Sequence, residues 1–291
     1  MSTANQYPSH LYSLFNHSSE SYTTVMLCAF EGWNDAGSAA TETLYYLERL
    51  KSANELVGFD SEEYYNFTES RPLLISQDDG EGEITWPEMK IHQWFDHEQR
   101  LRVLSVTGPE PQLKWRTFVT SLLGAAQELQ VDHLILLGGL LAEVPHTRAF
   151  PLAISSYTPS LRNQQLVSAQ TYTGPTGIVG ILAHSARQFN ITDLSLWVSI
   201  PHYAGQPPHP KASLEFLRAL ESILGIAIPI RPIEDEALAW ERGAAELMEE
   251  EPELAAYVEQ LEQEHKRADA QPVTGDDIAA EFEKFLKRRE Q

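Results

Sequence analysis

Cysteine is almost absent: Cys28 stands alone in 291 residues, so no intramolecular disulfide can form and a reducing compartment suits the chain. It falls inside an apolar run, where cysteine serves as a small hydrophobe. Basic charge is scarce and nowhere clustered, with 21 Lys and Arg against 42 Asp and Glu and a formal charge of −21. Such a surface repels phosphate backbones and anionic bilayers, so neither nucleic acid nor membrane is an expected partner. Long apolar runs are also missing. Leu134 to Ala142 is among the longest and falls well below the roughly 20 residues that a membrane-spanning helix needs. Met1 to Glu20 has neither the basic start nor the apolar stretch of a secretory signal. A cytoplasmic protein is expected.

Several catalytic patterns are absent too. There is no G-x-S-x-G nucleophile elbow, no H-E-x-x-H and no cysteine pair for zinc, and His97-Glu98 lacks a second histidine. The glycines of Thr173-Gly174-Pro175-Thr176-Gly177 are followed by no Lys-Ser or Lys-Thr pair, and G-x-G-x-x-G does not occur. No metal site and no cofactor are expected.

What the sequence does contain is organised around its first strand. Thr23 to Phe30 is a nearly unbroken apolar run of strand length, as suits a strand covered on both faces. Glu31, Asn34 and Asp35 cluster where it ends, and Gly32 permits a turn there. Asn34 or Asp35 is placed to accept hydrogen bonds from the free N–H groups of a helix over 36–50. Further strands are predicted near 56, 133 and 196, alternating with helices near 42, 120, 183 and 218, which is the pattern of a mainly parallel sheet between helices. An antiparallel hairpin is expected from 88–95 and 101–107, and 61–82 reads as polar, with an acidic turn at 78–82. Within Leu113 to Leu129, Trp115, Phe118, Leu122 and Ala126 share a helical face that reads as core. The composition shifts at Pro229-Ile230-Arg231-Pro232: from Glu234 onward 18 acidic residues face 7 basic ones. The chain therefore divides into a core of 1–232 and a helical, acidic extension of 233–291, broken at Pro272 and ending in a basic stretch, Lys284 to Arg289.

Phe30-Glu31-Gly32-Trp33-Asn34-Asp35-Ala36-Gly37 resembles the signature of the proteasome assembly chaperone 2 family, in its actinobacterial branch. Thr173 to Gly180 and Val198-Ser199-Ile200-Pro201-His202-Tyr203 match in the expected order, so the resemblance spans roughly residues 23 to 230. It implies a three-layer α/β/α domain with a phosphorylase/hydrolase-like fold, a trimer and no settled activity. Eukaryotic relatives dock on the proteasome α-ring through a C-terminal hydrophobic-Tyr-any residue tail. This sequence ends Arg288-Arg289-Glu290-Gln291, so that docking mode is not expected.

The candidate functional residues are those gathered at strand ends, where ligands bind in open α/β sheets. They are Glu31, Asn34 and Asp35; Gly138, Gly139, Glu143, His146 and Arg148; Thr173, Gly174 and Gly177; and His202 and Tyr203. The glycine pair Gly138-Gly139 reads as a turn that lets a ligand or backbone approach, with His146 and Arg148 as an acid and an anion clamp, or else as a turn with a structural ion pair. The Thr173–Gly177 loop either cradles an anion or is a structural turn. His184, inside a helix, reads as a packed or solvent-facing residue. Two functions remain open. One is a binding or assembly protein, homo-oligomeric and with proteasome subunits or another protein as partner; the other is a small-molecule hydrolase or nucleoside-phosphorylase-like enzyme using one strand-end pocket.

Overall fold

The computed structural model describes residues 21–76, 82–163, 167–170 and 172–268. In chain order the elements are β1 (Thr23–Cys28), α1 (Ala39–Leu50), β2 (Asn54–Gly58), the short α2 (Ser61–Tyr64), β3 (Leu73–Ser76), β4 (Gly82–Thr85), β5 (Lys90–Asp96) and β6 (Leu101–Thr107). They continue with α3 (Trp115–Glu128), β7 (His133–Ala142), β8 (Leu152–Ser156), α4 (Pro159–Asn163), β9 (Ser168–Ala169), α5 (Ile178–Ala186) and β10 (Thr192–Pro201). The chain then forms α6 (Pro210–Leu224), α7 (Arg231–Glu250) and α8 (Pro252–Ala268).

Eight strands form one mixed, mainly parallel sheet in the order β2-β5-β6-β1-β7-β10-β8-β9. Its centre, β6-β1-β7-β10, is parallel. Along β1 successive side chains leave by opposite faces, as the period of a strand requires. Val25 and Leu27 join a core formed with α1 and α6, whereas Met26 and Cys28 join a second core formed with α3 and α5. The sheet is therefore covered on both sides, and the three-layer α/β/α architecture follows. Burial pushes the Cys28 thiol far above its ordinary range, which leaves it as a core hydrophobe.

Three details differ from the sequence reading. The strand near 56 is not parallel: β2 is an antiparallel edge strand on β5, and the parallel neighbour of β1 is β6, the second arm of the expected hairpin. Residues 61–85 are not merely a polar loop, because β3 and β4 pair into a separate two-stranded ribbon beside the short α2. The glycine pair is no turn either; β7 runs through it to Ala142. A Cβ on Gly138 would stand 2.6 Å from Cε3 of Trp197 on the neighbouring strand, and one on Gly139 would stand 3.1 Å from the Ala36 carbonyl oxygen. Both glycines exist for close approach, as the sequence suggested, but within the sheet.

Tyr64, Tyr65 and Trp94 are buried, while Trp86 is half exposed beside Phe67. The acidic turn at 78–81, the break at Pro272 and the basic stretch at 284–289 lie outside the described residues. Acidic α7 is not detached from the core: Ile233 and Ala237 are buried in the α1–α6 core, and Trp240 packs against it. Among the described residues no helix is long and apolar enough to cross a membrane.

Candidate functional site

The opening turn is built as its residues dictate, with one shift. Gly32 takes a φ of 105°, in the region that favours glycine. Residues Ala36–Ser38 form a 3-10 turn before α1 begins at Ala39, with Gly37 in the left-handed region at the kink. Asp35 therefore caps α1 from four residues upstream. Its Oδ1 accepts from the backbone N–H of Ala40 at 2.7 Å, and its Oδ2 accepts from the Thr41 hydroxyl. Burial raises the carboxyl to about 6; those hydrogen bonds oppose the rise, and the charge of Glu31 adds to it. Glu31 points elsewhere, its carboxylate accepting from the Tyr45 hydroxyl at 3.0 Å. The backbone N–H of Gly139 donates to the Asn34 carbonyl at 2.8 Å, which ties the turn to β7.

Beside that turn, on the α5 side of β7 and β10, a cavity of about 320 Å³ opens. Its wall includes Trp33 and Asn34 from the turn, Gly139 and Trp197 from the sheet, and Ser155 and Tyr157 from β8 and the bend after it. Gln170, Tyr172, Gly174 and Gly177 come from the loop before α5, and His184 from α5 itself. Tyr157 is held by Asp193, whose carboxylate accepts its backbone N–H at 2.8 Å. Its ring meets His184 edge to face, 5.2 Å between centroids. Glu110 stands behind the wall and holds two of its parts: its Oε1 accepts from Asn34 Nδ2 at 3.1 Å and from the backbone N–H of Ile178 at 2.7 Å. Burial holds the Glu110 carboxyl above its ordinary range, and the Ile178 N–H opposes the shift. Gly177 has no room to spare, since a Cβ would collide with the Asn34 amide and lie 2.7 Å from Glu110 Oε1.

The remaining sequence candidates gather elsewhere, beneath α7 and α8. His146 is buried, and its backbone N–H and Nδ1 both lie within 2.9 Å of the Tyr203 hydroxyl. Burial and the nearby Lys211 hold the His146 ring below its ordinary range. Lys211, itself buried, donates to the His146 carbonyl at 2.6 Å and pairs with Glu241 of α7. Arg148 pairs at 3.0 Å with Glu262 of α8, which also accepts from Thr147. His202 and Tyr203 face Tyr257 of α8 edge to face. Close by, the fully buried His209 packs at a tilt against Trp240, centroids 4.2 Å apart, with neither ring nitrogen hydrogen-bonded, and burial lowers its pKa to about 4.

The thirteen strand-end candidates thus do not share one pocket. Asn34, Gly139, Gly174 and Gly177 line the cavity, with Gly138 beneath Trp197; Asp35 is a buried helix cap and Thr173 an exposed loop residue. Glu143 is buried just after β7, and His146, Arg148, His202 and Tyr203 anchor the C-terminal helices. Glu31 and Arg148 face different partners, Tyr45 and Glu262. Sequence reasoning missed Trp33, Tyr157, Tyr172, Trp197, Gln170 and His184 as cavity residues. Trp33 lay within the singled-out turn, and the flanks of the glycine loop carried Gln170 and Tyr172. Nothing local marked Tyr157, which depends on the antiparallel pairing of β8 with β10.

A three-layer α/β/α domain with an aromatic cavity at the carboxyl side of its parallel strands is the class that fold and site define. The sequence profile of the PAC2 family matches residues 29–248, and the chain belongs to that family. Two solved structures are similar at the level of sequence as well. A PAC2 family protein from Streptomyces avermitilis is 38% identical with a TM-score of 0.75, over 81% of this chain and 99% of the other. A proteasome-assembly chaperone homologue from Mycobacterium tuberculosis is 37% identical with a TM-score of 0.73, over 80% and 99%. PbaB of Pyrococcus furiosus, an archaeal proteasome activator, shares the fold alone, at 14% identity and a TM-score of 0.59 over 80% and 96%. No curated protein sequence matches this chain.

Proposed function

We propose that the chain is a binding and assembly protein of the cytoplasm whose partners are proteasome subunits, and that it works as a homotrimer, the state its family resemblance implies. The relatives, a proteasome-assembly chaperone homologue at 37% identity among them, support the class of partner. The hydrolase or phosphorylase alternative gains no support from them. One observation carries the docking surface. The β3–β4 ribbon exposes Leu73 (64%), Leu74 (71%), Ile75 and Ile84, a run of large apolar side chains outside both cores. Single exposed apolar residues are ordinary, but a ribbon of them is the mark of a surface that another protein covers. With a net charge of −21, the complementary partner face is apolar with a basic rim.

The test is light scattering behind size exclusion, with the full chain and recombinant proteasome α-subunits from the source organism. The chain alone is expected at the mass of three copies and the mixture as a heavier joint peak. A monomer at micromolar concentration would refute the trimer, and separate elution of the two proteins would refute the partner.

A further inference from the structure

We propose that the cavity between Trp33 and His184 is a binding site for an uncharged, planar heteroaromatic small molecule. The proposal is independent of the assembly reading. The cavity lies over β7, β10 and β8, whereas the exposed ribbon connects to β5, on the other half of the sheet.

Charge sets the first constraint. No Lys, Arg, Asp or Glu lines the cavity among the described residues, in a chain where such residues make up 22% of the sequence. A ligand phosphate or carboxylate entering there would lose its hydration with no cation to replace it. The anion-binding capacity of the α5 N-terminus is already engaged by the protein's own carboxylate, since Glu110 takes the first N–H of that helix, from Ile178, at 2.7 Å. A bound cation would likewise meet no carboxylate in the wall.

Shape and polarity set the second. Trp33, Tyr157, Tyr172 and Trp197 reach the same space from four separate segments, so flat rings face the ligand from several directions. Ring faces favour another ring, stacked or edge-on. Among them stand Asn34, Gln170, Ser155 and His184, polar groups that between them donate and accept hydrogen bonds. An aliphatic ligand would leave those groups unpaired, whereas the edge of a heterocycle, with alternating ring nitrogens and carbonyls, satisfies them. A volume of about 320 Å³ lies at the small end of ligand pockets, which suits one or two fused rings. Gly139 and Gly177 belong to the wall, where a Cβ would press on the Ala36 backbone or on Asn34 and Glu110.

Isothermal titration and tryptophan fluorescence of the full chain test this, with adenine, guanine, caffeine, indole and adenosine as neutral probes and AMP and inorganic phosphate as charged ones. At least one neutral heterocycle is expected to bind below about 1 mM and to quench the fluorescence. AMP is expected to bind at least about ten-fold more weakly than adenosine, and phosphate not at all. Trp33→Ala, at an exposed position, should weaken the best neutral probe by about ten-fold, the effect of a lost ring stack, with the melting temperature of the empty protein unchanged. Gln170→Ala, also outside both cores, provides a second variant. The proposal is overturned if no neutral heterocycle binds by about 1 mM, if AMP or phosphate binds as well as the neutral probes, or if neither variant weakens binding.

Discussion

At the scale of single residues, Asp35 shows how a signature residue can be explained by architecture. Its carboxylate accepts from Ala40 and Thr41 and so starts α1, while burial raises its pKa from 3.8 to about 6. The folded chain thus holds this proton more tightly than the unfolded chain. The associated stabilisation is full below about pH 3.8 and is lost as the pH rises through about 6, a change on the order of 3 kcal/mol. Asp35→Asn keeps an acceptor for Ala40 and carries no charge. It is expected to melt at or above the wild type at pH 7.5, and its advantage should shrink as the pH is lowered to 5; thermal melts at the two pH values check this. Asp35→Ala loses the cap, worth about 0.5–2 kcal/mol, and its cost should be larger at pH 5, where the wild-type carboxyl is mostly protonated, than at pH 7.5. A lower melting temperature for Asp35→Asn at pH 7.5 would show that the charge itself is structural.

At the scale of elements, the sequence was most informative where a signal is local. The apolar run ending at Gly32 fixed β1 and its turn, and the face of Phe118, Leu122 and Ala126 fixed α3, since periodicity and turn chemistry act over a few residues. Gly138-Gly139 misled because a glycine pair is ordinarily a turn, whereas the reasons for these two, Trp197 and the Ala36 backbone, lie far away in sequence. The direction of β2 was hidden for a like reason: its polar and apolar residues suit an edge strand of either sense. The C-terminal helices followed the same rule. Their charge suggested an extension beginning at 233, but Ile233, Ala237 and Trp240 sit in or on the core, and Lys211 is buried under Glu241. Truncation after Pro232 is therefore expected to aggregate or to melt at least several degrees lower, because it uncovers apolar surface and strands a buried charge. Among the described residues, truncation after Glu250 removes α8 with its Glu262 contacts to Thr147 and Arg148 and the buried Val258 and Leu261, and should cost less. Calorimetry of the two fragments checks the order; equal stability of the shorter one and the full chain would place the boundary at 232 after all.

At the scale of the molecule, the candidate site was half legible. The sequence placed polar groups at the ends of β1, β7 and β10, and those ends do lie along one edge of the sheet. It could not show that the edge is divided. One part is open and lined by rings, and the other is closed by α7 and α8, whose contacts with His146, Arg148, His202 and Tyr203 span 50 or more residues. Nor could it show the apolar ribbon, because 61–82 reads as polar overall and only the pairing of β3 with β4 brings Leu73, Leu74, Ile75 and Ile84 together outside the cores. The ribbon is proposed as the face on which the chain meets its partner. Hydrogen–deuterium exchange of the full chain, alone and with saturating proteasome α-subunits, tests this most directly. Slower exchange is expected over 73–76 and 82–85 on mixing, with 172–177 unchanged. Unaltered exchange across the ribbon in a mixture that does form a complex would contradict it.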